Sequence, residues 1–143
     1  MLNNELHFLL LKAFNHSNNL IIQQVYDLDL LPGQPKILEY LLEHDGTIAK
    51  NISRDHVLDK STITSLLTRM EKQNLIVRKN QINDKRAYSI YLTEKGKESA
   101  QKVKQICGHV DDIAFKNISS EDKQQFLQTL NIIIKNSREE NFQ

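Results

Sequence analysis

Residues 59–93, DKSTITSLLTRMEKQNLIVRKNQINDKRAYSIYLT, decide the fold. Within them Ile63, Leu66, Leu67 and Met70 recur at i, i+3, i+4 and i+7, which places four apolar side chains on one side of an α-helix. The opposite side of this helix, at 60–72, carries hydroxyls and cations: Lys60, Ser61, Thr64, Ser65, Thr68 and Lys72. The pattern predicts a helix that buries aliphatic residues and presents short polar side chains to solvent.

Two runs rich in β-branched and aromatic residues follow this helix, at 75–79 and 87–92. The polar segment 80–84 joins them, which predicts a β-hairpin. This connection leads to Asp84, Lys85 and Arg86, where an arginine can reach a DNA minor groove. Because the preceding helix has a face that suits the major groove, the whole stretch predicts a winged helix-turn-helix.

The positive charge of the chain is concentrated in the same stretch. Between residues 60 and 88, seven cations are opposed by two acids, Glu71 and Asp84, which gives a net charge of +5 on a chain whose total is +1. The cations are Lys60, Arg69, Lys72, Arg78, Lys79, Lys85 and Arg86. Such a local patch on a nearly neutral chain is typical of a surface that binds a polyanion. A solvated surface with incidental charges is the alternative interpretation.

Helical spacing predicts the remaining elements. A first helix is expected at about 3–28, a second from Pro32 and Pro35 to Gly46, and a third at about 48–55. Thr93 is expected to cap a fifth helix, and Ser119 a sixth. The fifth helix carries the apolar stripe Ala100, Val103, Cys107, Val110 and Ala114, and the sixth carries Phe126, Leu127, Leu130, Ile133 and Ile134. The predicted fold class is mostly α with a small β-hairpin wing (α+β).

We expect one domain over residues 1–143, with residues 31–96 as a winged-helix lobe. Residues 1–30 and 97–143 would then be dimerisation helices, because the central lobe is too small to cover the apolar stripes of long helices at both ends. A second chain would cover them in a two-fold interface. The alternative is that these helices fold back on their own core.

Composition excludes several classes of protein. One cysteine, Cys107, rules out an intrachain disulfide and fits a reducing cytoplasm. No signal peptide or membrane-spanning run is apparent. No Gly-rich phosphate loop, nucleophile elbow or spaced carboxylate pair indicates an enzyme. We therefore expect a cytoplasmic protein that is not an enzyme, has no cofactor, and does not bind membranes.

Five short motifs, in order over about residues 6–137, resemble the MarR family of bacterial transcriptional regulators. They are LPGQ at 31–34, DKSTIT at 59–64, MEKQNLI at 70–76, NDKRA at 83–87 and LTEKG at 92–96. The resemblance implies a homodimer that binds a pseudo-palindromic DNA operator, commonly as a repressor that a small ligand or an oxidant releases.

The helix at 60–72 would read the operator with its N-terminal residues. Ser61, Thr62, Thr64 and Ser65 are the candidates for contacts with base edges. Lys60 and Thr68 are expected to contact phosphates instead. A capping role for Ser61 is a second possibility, compatible with the first.

The hairpin would supply the minor-groove contact. By resemblance to the family's Asp-x-Arg wing, Arg86 would enter the minor groove and Asp84 would orient a neighbouring arginine, either Arg69 or Arg78. Lys85 keeps the positive charge between them, and Lys72 completes the predicted DNA-binding set. A surface hairpin with incidental charges is the alternative.

The turn before the reading helix departs from the family pattern. Glycine is common there, but counting four residues from Ser53 reaches Val57. A β-branched residue at positive φ is an outlier. We therefore expect either a different backbone path or a register shift caused by His56 and Val57.

The resemblance also implies a ligand pocket between the dimerisation helices and the DNA-binding lobe. His16, Tyr26 and Tyr40 are candidate lining residues, although an aromatic residue or a lone histidine on a helix more often has a packing or surface role. The effector is not specified by the sequence.

A metal- or redox-responsive regulator is a further alternative. Oxidant-sensing relatives carry a reactive cysteine in the first helix, whereas Cys107 lies on the apolar stripe of the fifth, where a thiol is normally inert. The histidines are scattered, and the i+2 spacing of Cys107, His109 and Asp111 separates them around a helix. A winged helix that contacts only other proteins is the remaining alternative.

Overall fold

The computed structural model describes residues 1–81 and 84–140, with side chains for all of these except residues 84–86. Within these residues, six α-helices and one hairpin follow in the predicted order, which confirms the fold class. The helices are α1 (Leu6–Val25), α2 (Gln34–Glu43), α3 (Ala49–His56), α4 (Lys60–Lys72), α5 (Glu94–Ala114) and α6 (Ser120–Glu139). The strands are β1 (Ile76–Gln81) and β2 (Asp84–Leu92). The chain divides into two compact units, residues 1–110 and 111–143.

The hydrophobic core of the first unit lies among α2, α3, α4, the hairpin and the start of α5. It contains Ile37, Leu38, Leu41, Ile52, Ile63, Leu67, Met70, Leu75, Ile76, Ile90, Leu92 and Ala100. Of these, Ile63, Leu67, Met70 and Ala100 lie on the apolar stripes that helical spacing predicts. Because most of these side chains are fully buried, the core fixes the orientation of α4.

The first two helices differ from the prediction at their ends. The polar middle of α1 does not interrupt it, and 3₁₀ turns at Leu2–Asn4 and Tyr26–Leu28 flank it. Helix α2 has Pro35 in its first turn, but Pro32 precedes the helix. The helix also ends at Glu43, before Gly46, whose φ of +88° and N–H bond to the Ile90 carbonyl (2.7 Å) serve the hairpin instead.

A buried amide joins the start of α2 to the end of α4. The Gln34 Oε1 atom accepts a hydrogen bond from the Leu31 N–H (3.0 Å), and its Nε2 donates to Gln73 Oε1 (2.6 Å). Gln34 is fully buried, so these bonds satisfy an amide that would otherwise be costly to desolvate.

The hairpin strands are longer than predicted. They pair antiparallel from Ile76 opposite Leu92 to Asn80 opposite Tyr88, with a register shift at Gln81. Asn80, Gln81 and Asp84, which were expected in the connecting loop, therefore belong to the strands.

The base of the hairpin is held by Thr93, which caps α5 as predicted. Its hydroxyl accepts from the Gly96 N–H (2.9 Å) and donates to the Asn74 carbonyl (2.6 Å). Its own N–H donates to the Leu75 carbonyl (3.1 Å). A Cβ on Gly96 would lie 2.0 Å from that carbonyl oxygen, so only glycine fits there. The end of α4 and the start of α5 are thus joined directly.

The second unit contains α6 and the end of α5. Ser119 caps α6 as predicted, accepting from the Asp122 N–H (3.1 Å), and Phe115 meets Phe126 edge to face at 6.1 Å. No residue of α6 is buried, and of α1 only Val25 is. None of the helices that the structure describes is long and apolar enough to cross a membrane.

Candidate nucleic-acid interface

Helix α4 spans the residues predicted for the reading helix and has the predicted two faces. Ile63, Leu67 and Met70 are buried and Leu66 is partly buried. The predicted outward residues are all exposed: Lys60, Ser61, Thr62, Thr64, Ser65, Thr68, Arg69 and Lys72. The periodicity of the sequence therefore separates core from surface correctly along the whole helix.

The cap of α4 is Asp59, and the predicted capping role of Ser61 is wrong. The Asp59 carboxylate accepts from the Thr62 N–H (2.7 Å) and from the Ser61 hydroxyl (3.0 Å). Hydrogen bonding from the Thr62 side chain, then from the Thr62 N–H and the Ser61 hydroxyl, holds the pKa of Asp59 below its usual value, because it stabilises the ionised form. Ser61 thus uses its proton locally, and its oxygen can still accept a hydrogen bond.

A shallow cavity of about 440 Å³ lies against the N-terminal half of α4. Ser61, Thr62, Ser65 and Leu66 line it. Three hydroxyls beside one aliphatic side chain provide hydrogen-bonding groups and an apolar contact surface. That is the chemistry needed to distinguish base edges and thymine methyl groups.

Arg78 is fixed against α4. It donates from Nη2 to Thr68 Oγ1 (2.9 Å), and its Nε lies 3.6 Å from Glu71 Oε1. Thr68 therefore supports an arginine as well as lying on the outer face. The side chains of Asp84, Lys85 and Arg86 lie outside the described residues, as does the predicted pairing of Asp84 with Arg69 or Arg78.

The turn between α3 and α4 keeps a left-handed residue at Val57 (φ 54°, ψ 46°). Both expectations for this turn, another backbone path or a shifted register, are therefore wrong. The turn is held by the Leu58 N–H bond to the Ser53 carbonyl (3.1 Å) and by the Ser53 hydroxyl bond to the Leu58 carbonyl (2.5 Å). Val57 is 87% exposed, so its side chain meets little steric opposition beyond its own backbone.

A second cavity, of about 470 Å³, lies where α3 meets the start of α4. Lys50, Ser53, Arg54 and Lys60 line it. Of these four residues, only Lys60 was predicted from the sequence to contact DNA. The i, i+4 spacing of Lys50 and Arg54 on the helix before the reading helix was the signal available for the others.

The candidate effector residues do not line either of these two cavities. His16 is exposed on α1, and Tyr26 is 81% exposed. Tyr40 is half-buried, stacks on His44 with ring centroids 4.2 Å apart, and donates its hydroxyl hydrogen to Asp55 Oδ2 (2.5 Å). Cys107 is half-buried on α5.

Sequence comparisons identify the class of protein. The family model for the transcriptional regulators SarA/Rot matches residues 19–103. The organic hydroperoxide resistance transcriptional regulator of Bacillus subtilis is 30% identical over 140 residues, which cover 98% of this chain and 94% of that one.

Solved structures show the same fold. A MarR family transcriptional regulator from Listeria monocytogenes, complexed with a 26mer DNA, matches with a TM-score of 0.91 at 18% identity, over 94% of this chain and 90% of that one. The S. aureus MepR–DNA complex matches with a TM-score of 0.83 at 21% identity, over 92% and 98%. The resemblance to MarR-type winged-helix regulators is thereby confirmed. The chain belongs to the SarA/Rot family of transcriptional regulators.

Proposed function

We propose that this regulator binds a pseudo-palindromic DNA operator as a homodimer in the bacterial cytoplasm and represses transcription from it. Each subunit would insert α4 into the major groove, and Arg86 would reach the adjacent minor groove. Two reading helices related by two-fold symmetry would then lie about 10 base pairs apart on one face of the duplex.

The exposed outer face of α4 is the observation that carries this proposal. Its hydroxyls and cations are exposed, while Ile63, Leu67 and Met70 on the opposite face are buried in the core. A helix held this rigidly by Ile63, Leu67 and Met70 loses little further entropy on docking. The L. monocytogenes and MepR proteins have this fold and are complexed with DNA, which supports the same use of the fold here.

The terminal helices support the homodimer. On α1, Leu6, Leu9, Leu11 and Phe14 are 44–61% exposed. On α6, Phe126, Leu127 and Ile134 are 41–53% exposed. Apolar side chains in such numbers along a helix are typical of an interface with a second chain.

Operator variants test the predicted division of labour between helix and wing. Thr64→Ala should relax the preference at one base pair by about 1–3 kcal/mol, because Thr64 would contact a base edge. Arg86→Ala should instead lower affinity and reduce the sensitivity to A·T-rich flanks by a similar amount. Lys102→Ala, an exposed cation on α5, is the control and should change neither. A mobility-shift series on operator variants measures these effects. If Thr64→Ala and Arg86→Ala lower affinity equally for every operator sequence, the assignment is contradicted.

Salt dependence tests whether the contacts are electrostatic. If each subunit neutralises about three to four phosphates, the slope of log K against log salt should be roughly −5 to −7. A winged helix that contacts only proteins would give no retention on heparin and no salt-sensitive DNA binding, so this measurement separates the two functions.

Release of the operator by an effector is a separate part of the proposal. The name of the B. subtilis relative points to organic hydroperoxides as compounds to test beside small phenols and metals. Since Cys107 is the only cysteine of the chain, release through a thiol must disappear in Cys107→Ser. If hydroperoxide releases both the wild type and Cys107→Ser from the operator, a thiol switch is excluded. Release would then occur through binding of a small-molecule effector.

A further inference from the structure

The cavity between α3 and α4 is strongly basic. Lys50, Arg54 and Lys60 bring three positive charges to a volume of about 470 Å³, and none of the described residues that line it is acidic. Ser53 forms part of the wall, but its hydroxyl proton is donated to the Leu58 carbonyl. The three cations are therefore the groups that can bind an anion there.

Arg54 is oriented by neighbours outside the cavity. It donates from Nε to Asp55 Oδ1 (2.9 Å) and from Nη2 to Asp55 Oδ2 (3.3 Å). These contacts leave the Nη1 donors for another acceptor. Asp55 in turn accepts the Tyr40 hydroxyl bond at 2.5 Å, and His56 packs edge-on against the Tyr40 ring with centroids 5.0 Å apart. The Arg54 guanidinium is thus oriented by the Asp55 carboxylate, which is itself bonded to Tyr40 of α2.

The carboxylate of Asp55 is charged at neutral pH. Hydrogen bonds from Arg54 and then Tyr40 lower its pKa to about 2. A pair this exposed contributes little to stability, so its main effect is on where the arginine points. An arginine held in advance loses less side-chain entropy when it binds an anion.

The position of the cavity identifies the anion. Lys60 is the first residue of α4 and adjoins Ser61, which lines the cavity on the reading face. When a reading helix lies in the major groove, the helix before it crosses the phosphate backbone. Asp59, the residue before Lys60, is already bonded to Ser61 and Thr62.

We propose that Lys50, Arg54 and Lys60 form a binding site for a phosphate of the DNA backbone beside the bases that α4 reads, and that Tyr40 and Asp55 are positioning residues for Arg54. This site rests on the proposed DNA-binding function and adds a contact to the predicted set. It grips the duplex without reading sequence.

The first experiment measures binding to an operator duplex and to a random duplex across a range of salt concentrations, by fluorescence anisotropy. The double variant Lys50→Gln/Arg54→Gln should weaken binding to both duplexes by the same factor, about tenfold or more near 0.1 M salt, and reduce the salt slope by about 2. The slope changes because each lost phosphate contact contributes about 0.9 and a homodimer has two such sites. Lys102→Gln, a matched exposed lysine, should leave both quantities unchanged.

The second experiment tests the positioning role of Asp55 by whether its removal strengthens or weakens DNA binding. Asp55→Asn removes a negative charge near DNA, so electrostatics alone predicts tighter binding. If Asp55 orients Arg54, the variant binds several-fold more weakly, Tyr40→Phe weakens binding in the same direction, and neither change has an effect in an Arg54→Gln background. Thermal unfolding of each variant shows that the protein is folded.

The outcomes separate this site from the function on which it rests. Failure of the wild type to bind any duplex overturns the proposed function. Normal DNA binding with a double variant that behaves like Lys102→Gln overturns the phosphate site alone. Tighter binding by Asp55→Asn overturns the positioning role.

Discussion

The winged-helix lobe and the C-terminal unit use similar helices in opposite ways. In the lobe, the apolar stripe of α4 is covered by the chain's own core, and Ile63, Leu67 and Met70 are buried. In the unit at 111–143, α6 has comparable amphipathic spacing but no buried residue. The lobe therefore has a core of its own, whereas α6 offers the apolar surface that the proposed homodimer requires. Matched substitutions in the two regions can test this contrast.

The largest expected difference is in the free energy of unfolding, between isoleucine substitutions in the two regions. Ile63→Ala should reduce the free energy of unfolding by about 2–5 kcal/mol, because it leaves a cavity in a fully packed core. Ile132→Ala should change it by less than about 0.5 kcal/mol, since Ile132 is 60% exposed and lies off the predicted apolar stripe of α6. Urea denaturation of both variants measures the difference, and equal losses would mean that α6 is as well covered as α4.

The next prediction concerns association. The double change Leu127→Asp/Ile134→Asp places charges on one face of α6, seven residues apart. We expect a protein that remains folded in the lobe but sediments as a monomer, and whose operator affinity falls because the two reading helices are no longer linked. Ile132→Asp, on the other side of the helix, is the control. An unchanged dimer would place the interface elsewhere.

The two helix caps should differ in their response to acid. Asp59→Ala and Ser119→Ala each remove the side chain that accepts an N–H at a helix start, and each should lower Tm by a few degrees. Asp59 has a lowered pKa, so its stabilisation is present above its ordinary value of 3.8 and is lost as the pH falls below that value. The cost of Asp59→Ala should therefore shrink between pH 6 and pH 3, while that of Ser119→Ala stays constant. Calorimetry at several pH values measures both.

The smallest effect is expected at two residues with left-handed backbone conformation. Val57 (φ 54°) and Asn117 (φ 65°) both have positive φ, but asparagine tolerates this conformation and a β-branched residue does not. Val57→Gly should stabilise the protein by up to about 1 kcal/mol, because the relief of backbone strain exceeds the entropy cost of glycine. Asn117→Gly should be nearly neutral. A loss of stability in Val57→Gly would show that the valine side chain makes contacts that outweigh the strain.

The sequence predicted the elements whose signals are local. The boundaries and buried face of α4 followed from its periodicity, and the capping roles of Thr93 and Ser119 followed from hydroxyls placed directly before helical runs. At the start of α4 two capping candidates lay two residues apart, and spacing alone did not distinguish Asp59 from Ser61. The strand ends near residue 80 were also misjudged, since polar residues in an exposed hairpin resemble those in a loop.

The sequence did not predict features that depend on distant residues. Tyr40 and Asp55 are 15 positions apart, and they meet only because α2 packs against α3. Lys50 and Lys60 are likewise brought to one cavity by a turn whose path the sequence left open. The set of contacts proposed from sequence was accordingly restricted to α4 and the hairpin, and it omitted α3.

The hydrogen bonds that join Thr93 to residues 74 and 75, and the close packing of Gly96 there, have a consequence for how such regulators can diversify. They close the hairpin at its foot, through backbone and hydroxyl bonds that do not involve the residues around 82 and 83. The far end of the hairpin can therefore be lengthened, shortened or exchanged with that of another regulator without loosening the attachment. Under the proposed function, the minor-groove preference of the hairpin would therefore evolve, or be engineered, independently of the bases that α4 would select.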